Sequence, residues 1–193
     1  PMSVNDRKPS APESIFFQAL STTILILRLD GDGFLNSDYY KKIDNLDVFV
    51  KDVLAQSGLG NPATLQMFLY VLLVMPKEIM EKEGPGTDNL WKNEINAYIS
   101  NFRDICVSST YSWEDQSNLS TIDFYGHIRN AVSHSRCSYS TEKNTCYVTF
   151  FDQNNKKVPE KCSIKMSTGD VGLVLGKLQD LMLTYLKGLQ STH

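Results

Sequence analysis

Within six residues, Arg129-Asn130-Ala131-Val132-Ser133-His134, the chain places a guanidinium, an amide and an imidazole. Those groups suffice to break a phosphodiester. The guanidinium neutralises a phosphate, and an imidazole changes charge between about pH 5 and 8 and so moves protons. Asn130 can orient either the substrate or the histidine. Acid/base candidates are few, because the 193 residues contain only three histidines, His127, His134 and His193.

The element that carries these residues reads as an amphipathic helix over about 121–135. At about 100° per residue, Phe124, Ile128, Ala131, Val132 and Ser135 share the face that should turn inward. His127, Asn130 and His134 form a row on one flank, and Arg129, Ser133 and Arg136 a row on the other. The five-residue offset sets Arg129 and His134 about 140° apart around the axis. A single helix does not easily aim both at one phosphorus atom. Two copies packed near a two-fold axis would place one subunit's arginine beside the other's histidine, so a homodimer is expected.

The remaining elements follow from periodicity and breakers. Residues 1–12 read as a flexible N-terminal arm and 13–190 as one domain, since a chain of this length with 41% hydrophobic residues can bury one core. Helices are expected from Pro12 to about Leu29, from Ser37 to Gln56, from Ala63 to about Lys82 with a bend at Pro76, and from Asp88 to Val107. Gly84-Pro85-Gly86 is the sharpest break. After the helix over 121–135 the period changes from 3.6 to 2. Cys146, Val148 and Phe150 alternate, Asp152–Lys157 reads as a polar turn, and Cys162, Ile164 and Met166 alternate again, giving a β-hairpin over about 145–166. A last helix is expected over about 168–189. The expected fold class is all-α, an up-and-down helical bundle with a small β-hairpin before the C-terminal helix.

Composition narrows the function classes. A formal net charge of −3 and a pI near 5.6 exclude an extended basic footprint, so any nucleic-acid contact must be local. Cys106, Cys137, Cys146 and Cys162 sit at irregular spacings without a C-x-x-C pair and read as reduced, buried thiols, with zinc or disulfides the lesser alternative; no metal and no cofactor is expected. Ile15–Leu29 is apolar, but Gln18, Ser21, Thr22, Thr23 and Arg28 interrupt it, so it reads as a buried helix rather than a membrane span or a signal. A cytoplasmic location and no membrane partner are expected. Asp30-Gly31-Asp32-Gly33 is a helix-ending turn: aligned as a calcium loop it would put Arg28 and Tyr39 at essential ligand positions. Trp91, Tyr98 and Phe102 read as core. No phosphate-binding glycine loop and no G-x-S-x-G elbow is present.

Arg129-Asn130-x-x-x-His134, late in a helical domain, resembles the R-x4–6-H signature of the HEPN superfamily. The tail strengthens the likeness. Tyr147-Val148-Thr149-Phe150-Phe151-Asp152, a turn, Ile164-Lys165-Met166 and then Ser167-Thr168-Gly169-Asp170-Val171 opening a helix resemble a plasmid-encoded bacterial HEPN subfamily. The resemblance is plain over about 118–189 and architectural before that. It implies a helical dimer and a metal-independent endoribonuclease of toxin or host-defence type, with Arg129, Asn130 and His134 catalytic. His127, Ser133 and Arg136 are the accompanying candidates for substrate binding. RNA would be the substrate, cleaved through its own 2′-hydroxyl to a 2′,3′-cyclic phosphate. An antitoxin or other regulatory partner is expected. HEPN toxins silenced by AMP transfer carry tyrosine two residues after the histidine; here that position is Arg136, which argues against that mode of control. The alternative is a non-catalytic HEPN module that binds RNA, a nucleotide or a protein.

Overall fold

The computed structural model describes residues 10–80 and 91–190. Most of the arm over 1–12, the Gly84-Pro85-Gly86 break and His193 therefore lie outside the described residues.

Helix α1 spans Ala11–Gly31. Ser10 opens it with a capping box: its hydroxyl accepts from the Glu13 amide, and the Glu13 carboxylate accepts from the Ser10 amide at 2.8 Å. Its inner face buries Phe16 and Leu20, each such side chain contributing about 1.5–3 kcal/mol. The Asp30–Gly33 turn ends it, and the Asp30 carboxylate accepts from the Leu59 amide at 3.2 Å.

One long helix was expected over 37–56; the chain instead makes two, α2 (Asp38–Lys41) and α3 (Val48–Ser57). Asp47 causes the restart. Its carboxylate caps the Phe49 amide at 2.8 Å, and a side chain that competes for backbone donors favours a helix start over a helix interior. Helix α4 (Pro62–Leu69) is capped by Asn61 and continues through a π turn (Tyr70–Val74) into α5 (Met75–Met80). The irregularity expected at Pro76 takes the form of that wider turn, just ahead of a residue with no amide proton to give.

Helix α6 is Lys92–Ser100, shorter than the expected helix to Val107, because Cys106–Ser109 extends into strand β1. Helix α7 follows at Phe124–Ser133, then β2 (Cys137–Glu142), β3 (Thr145–Gln153), β4 (Lys161–Ser167) and α8 (Thr168–Gln190).

The all-α expectation is therefore corrected. Beside the helices lies a four-stranded antiparallel sheet in the order β1-β4-β3-β2, and the fold is mixed α and β. The expected hairpin is its centre, β3 and β4. Strand β2 pairs with β3 around Lys143-Asn144, both at positive φ (48° and 67°), as a two-residue type I′ hairpin turn requires. Strand β1 pairs with β4 through Val107↔Ile164 and Ser109↔Cys162.

The sheet lays one face on the helices. Val148 and Phe150 of β3 and Ile164 and Met166 of β4 are buried, as are Ile128, Ala131 and Val132 of α7 and Val171, Leu175, Leu178 and Met182 of α8. The motif helix is thereby packed against β3 on one side and α6 on another. Among the described residues no single helix is long and apolar enough to cross a membrane.

Candidate functional site

Helix α7 starts where Asp123 caps it, accepting from the Gly126 amide at 3.1 Å. The same carboxylate takes the Lys92 ammonium at 2.7 Å and the Asn96 amide at 3.2 Å, both from α6. Burial raises the Asp123 pKa, but the bonds to Lys92, Gly126 and Asn96 outweigh it and hold the acid below its ordinary range. A Cβ at Gly126 would lie 2.5 Å from an Asp123 carboxylate oxygen, so any other residue there must displace the Asp123 side chain. Asn96 also accepts from the Tyr125 amide at 2.8 Å, so the first turn of α7 is fixed before Arg129 and Asn130.

One turn further on, His127 is buried, 5% exposed, between two acids. Its Nδ1 lies 2.7 Å from Asp152 Oδ2 and its Nε2 lies 2.8 Å from Glu114 Oε1. Ionised carboxylates only accept, so both ring nitrogens must supply a proton. Burial pushes the imidazole pKa down, but hydrogen bonds to Asp152, Cys162 and Glu114 more than reverse this and carry it up to about 10. Asp152 is held below its ordinary range, the bonds from His127 and Asn130 overcoming burial. His127 is thus an imidazolium clamp, with neither nitrogen free for substrate.

Asp152 Oδ2 gathers three donors: the His127 ring, the Tyr111 hydroxyl at 3.3 Å and Asn130 Nδ2 at 3.2 Å. Burial and then Asp152 itself push the Tyr111 hydroxyl up to about 12, so it stays a donor. Because Asn130 gives its NH2 to Asp152, its carbonyl oxygen faces away and accepts from Arg129 Nη2 at 3.2 Å. The buried acids therefore set the orientation of Asn130, and Asn130 meets the guanidinium. Glu114 is held in turn by the Ser109 hydroxyl at 2.5 Å and the Asp123 amide at 2.9 Å.

His134 has a different position. The helix ends at Ser133, His134 is the C-cap, and Ser135 turns back through a positive φ of 54°. His134 and Ser133 are exposed, and among the described residues no side-chain hydrogen bond involves the His134 ring. Ser135, expected on the inner face, is exposed because the helix has ended before it. Arg136 is half-buried and donates to the Gln153 carbonyl at 3.3 Å, which ties it to the end of β3. The structure thus joins Arg129, Asn130 and His127 through one network and leaves Ser133 and His134 outside it.

The network's other members were not read from the sequence. Glu114 and Tyr111 lie between the helices expected over 88–107 and 121–135, in a stretch given no role. Asp152 carried a signal: it continues the inward alternation of Val148 and Phe150, although it read as the first residue of a turn. Glu114, His127 and Cys162 each offer one ligand atom, all within 4.8 Å of one another, and so could hold a metal ion.

In this mixed helix-and-sheet domain the chain carries Arg129 and His134 on and just past one helix, the arrangement expected of a HEPN-type protein. More narrowly, it belongs to the plasmid-encoded HEPN family described as HEPN pEK499 p136, whose family model matches residues 4–188. Neither a curated protein nor a solved structure matches the chain significantly.

Proposed function

We propose that this chain is a metal-independent endoribonuclease of toxin or host-defence type, whose site is completed across a homodimer. The observation that carries this reading is the division of labour along α7. Arg129 is backed, through Asn130, by a buried acid–imidazolium network, while the His134 imidazole stands in solvent at the end of the same helix.

RNA supplies the nucleophile. His134 of one protomer removes the 2′-hydroxyl proton, and the 2′-oxygen attacks phosphorus. Arg129 stabilises the charge of the phosphorane. The P–O5′ bond breaks, and the second protomer's His134, as imidazolium, protonates the departing 5′-oxygen. The products are a 2′,3′-cyclic phosphate and a 5′-hydroxyl. General acid–base catalysis of this kind contributes about 10²- to 10⁴-fold, and a charge-stabilising donor about 10²- to 10³-fold.

The test is cleavage of an RNA oligonucleotide, with chelator added together with the substrate, by wild type, Arg129→Ala and His134→Ala. Cleavage by wild type alone, with a cyclic phosphate end and none at a 2′-deoxy position, supports the reading. Full turnover by either variant refutes it. The net charge of −3 favours a second reading, a HEPN module that binds RNA, nucleotide or protein without cutting it. RNA binding by a wild type that never cleaves would establish that one.

A further inference from the structure

We propose that Glu114, His127 and Cys162 form a binding site for one zinc ion, which pins the 109–123 segment to α7 and the sheet. The three ligand atoms come from a loop, a helix and a strand, yet lie within 4.8 Å of one another. One oxygen, one nitrogen and one sulfur donor match zinc and disfavour magnesium or calcium, which take oxygen.

The surroundings are those of a ligand set already oriented. The far nitrogen of His127 gives its proton to Asp152 at 2.7 Å, the arrangement that fixes a ligating histidine's tautomer. The second oxygen of Glu114 is held by Ser109 at 2.5 Å, and its first by the Asp123 amide. Cys162 pairs directly with Ser109 on β1 and with Asp152 on β3. A row of three polar or ligating side chains thus crosses the inner sheet face, with Ser109 7%, Cys162 1% and Asp152 4% exposed. Polar groups at such depth are costly unless hydrogen-bonded, and here Ser109 bonds Glu114 while Asp152 bonds Tyr111, His127 and Asn130.

Among the described residues the hydrogen bonds to Glu114 and Asp152 come from Ser109, Tyr111, Asn130, backbone amides and the His127 ring, never from a lysine or arginine side chain. Without a metal, the proton on His127 Nε2 meets Glu114 Oε1 at 2.8 Å. Zinc takes its place, and binding releases two protons to solvent, one from His127 Nε2 and one from the Cys162 thiol. Zinc bonds of about 2.0–2.3 Å set tetrahedral ligand separations of about 3.3–3.8 Å. The His127–Glu114 pair, now 2.8 Å apart, opens by about 0.5 Å, and the longest separation closes by about 1 Å. A water completes the fourth position.

The zinc holds structure and takes no part in the RNA chemistry proposed above, so its test needs no activity. The full chain, purified without chelator, should carry about one zinc per chain by elemental analysis. Cobalt(II) replacement should give the near-ultraviolet charge-transfer band of a thiolate ligand. Cys162→Ser should abolish the band while near-ultraviolet circular dichroism shows an intact fold, and Cys106→Ser should leave the band in place. If Cys162→Ser does not fold, Glu114→Gln should still retain the band with a much weakened metal affinity. The proposal is overturned if the wild type carries no zinc and neither zinc nor cobalt raises its Tm or gives the band. A band that follows Cys106 instead of Cys162 overturns it too, as does an NMR spectrum in excess zinc with protons on both His127 nitrogens.

Discussion

His127 and His134 lie seven residues apart on α7 and its cap, and the structure gives them opposite surroundings. The first is enclosed by Asp152, Glu114 and Tyr111, with both nitrogens committed. The second stands in water past the last helical turn. Residue type alone does not distinguish a clamp from a proton carrier; the residues that fold over it do. At 127 those residues arrive from the loop that leads into α7 and from the end of a strand, Glu114 13 and Asp152 25 residues away from His127.

The contrast can be broken from either end. The largest effect is expected on turnover: His134→Ala should lower RNA cleavage by about 10²- to 10⁴-fold. Its denaturation midpoint should stay close to wild type, because exposed positions usually shift stability by no more than about 0.5 kcal/mol. A variant that cuts normally, or one that unfolds, would erase the difference between the two histidines. His127→Ala should do the reverse, costing about 3–5 kcal/mol in urea denaturation because two buried carboxylates lose their shared counter-charge. A loss below about 1 kcal/mol would show that the clamp is not holding the fold.

Two smaller effects sharpen the same picture at the start of α7. Gly126→Ala should displace the Asp123 cap and cost about 1–2 kcal/mol, read from the thermal midpoint. An unchanged midpoint would mean that the cap is idle. Asp123 itself should shape the acid limb of stability. Its folded pKa is depressed, so its contribution is present above the ordinary aspartate range and is lost as pH falls through the folded value. Asp123→Asn should flatten the stability–pH curve below about pH 4 and leave its shape near neutrality unchanged. An acid limb identical to wild type would contradict this.

How much of this was legible in the sequence differs along the chain. The inward face of α7 was, because Phe124, Ile128, Ala131 and Val132 repeat at helical spacing and are all buried. So were the central strands, where apolar residues alternate. Strand β2 was not: nearly all of it is exposed, its side chains are mostly small or polar, and its turn uses Lys143-Asn144 in place of a glycine signal. Strand β1 is four residues long and directly follows a helical stripe, so the change of period had no room to show. The candidate site divides the same way. Arg129, Asn130 and His134 form a local pattern, whereas Glu114 and Asp152 become functional candidates only when the sheet and the 109–123 segment fold over His127. The side chains of Ser109 and Cys162 gain meaning from strand register, which no local spacing records.

Only Ser135 and Arg136 separate His134 from the first residue of β2. Arg136 is gripped on both sides, its amide by the Ala131 carbonyl at 2.8 Å and its carbonyl by the Phe151 amide at 2.9 Å. The exposed imidazole therefore has a solvent-facing ring on an anchor with no slack. Adding one residue at 135 or 136 would disturb that grip and swing the ring off its bearing.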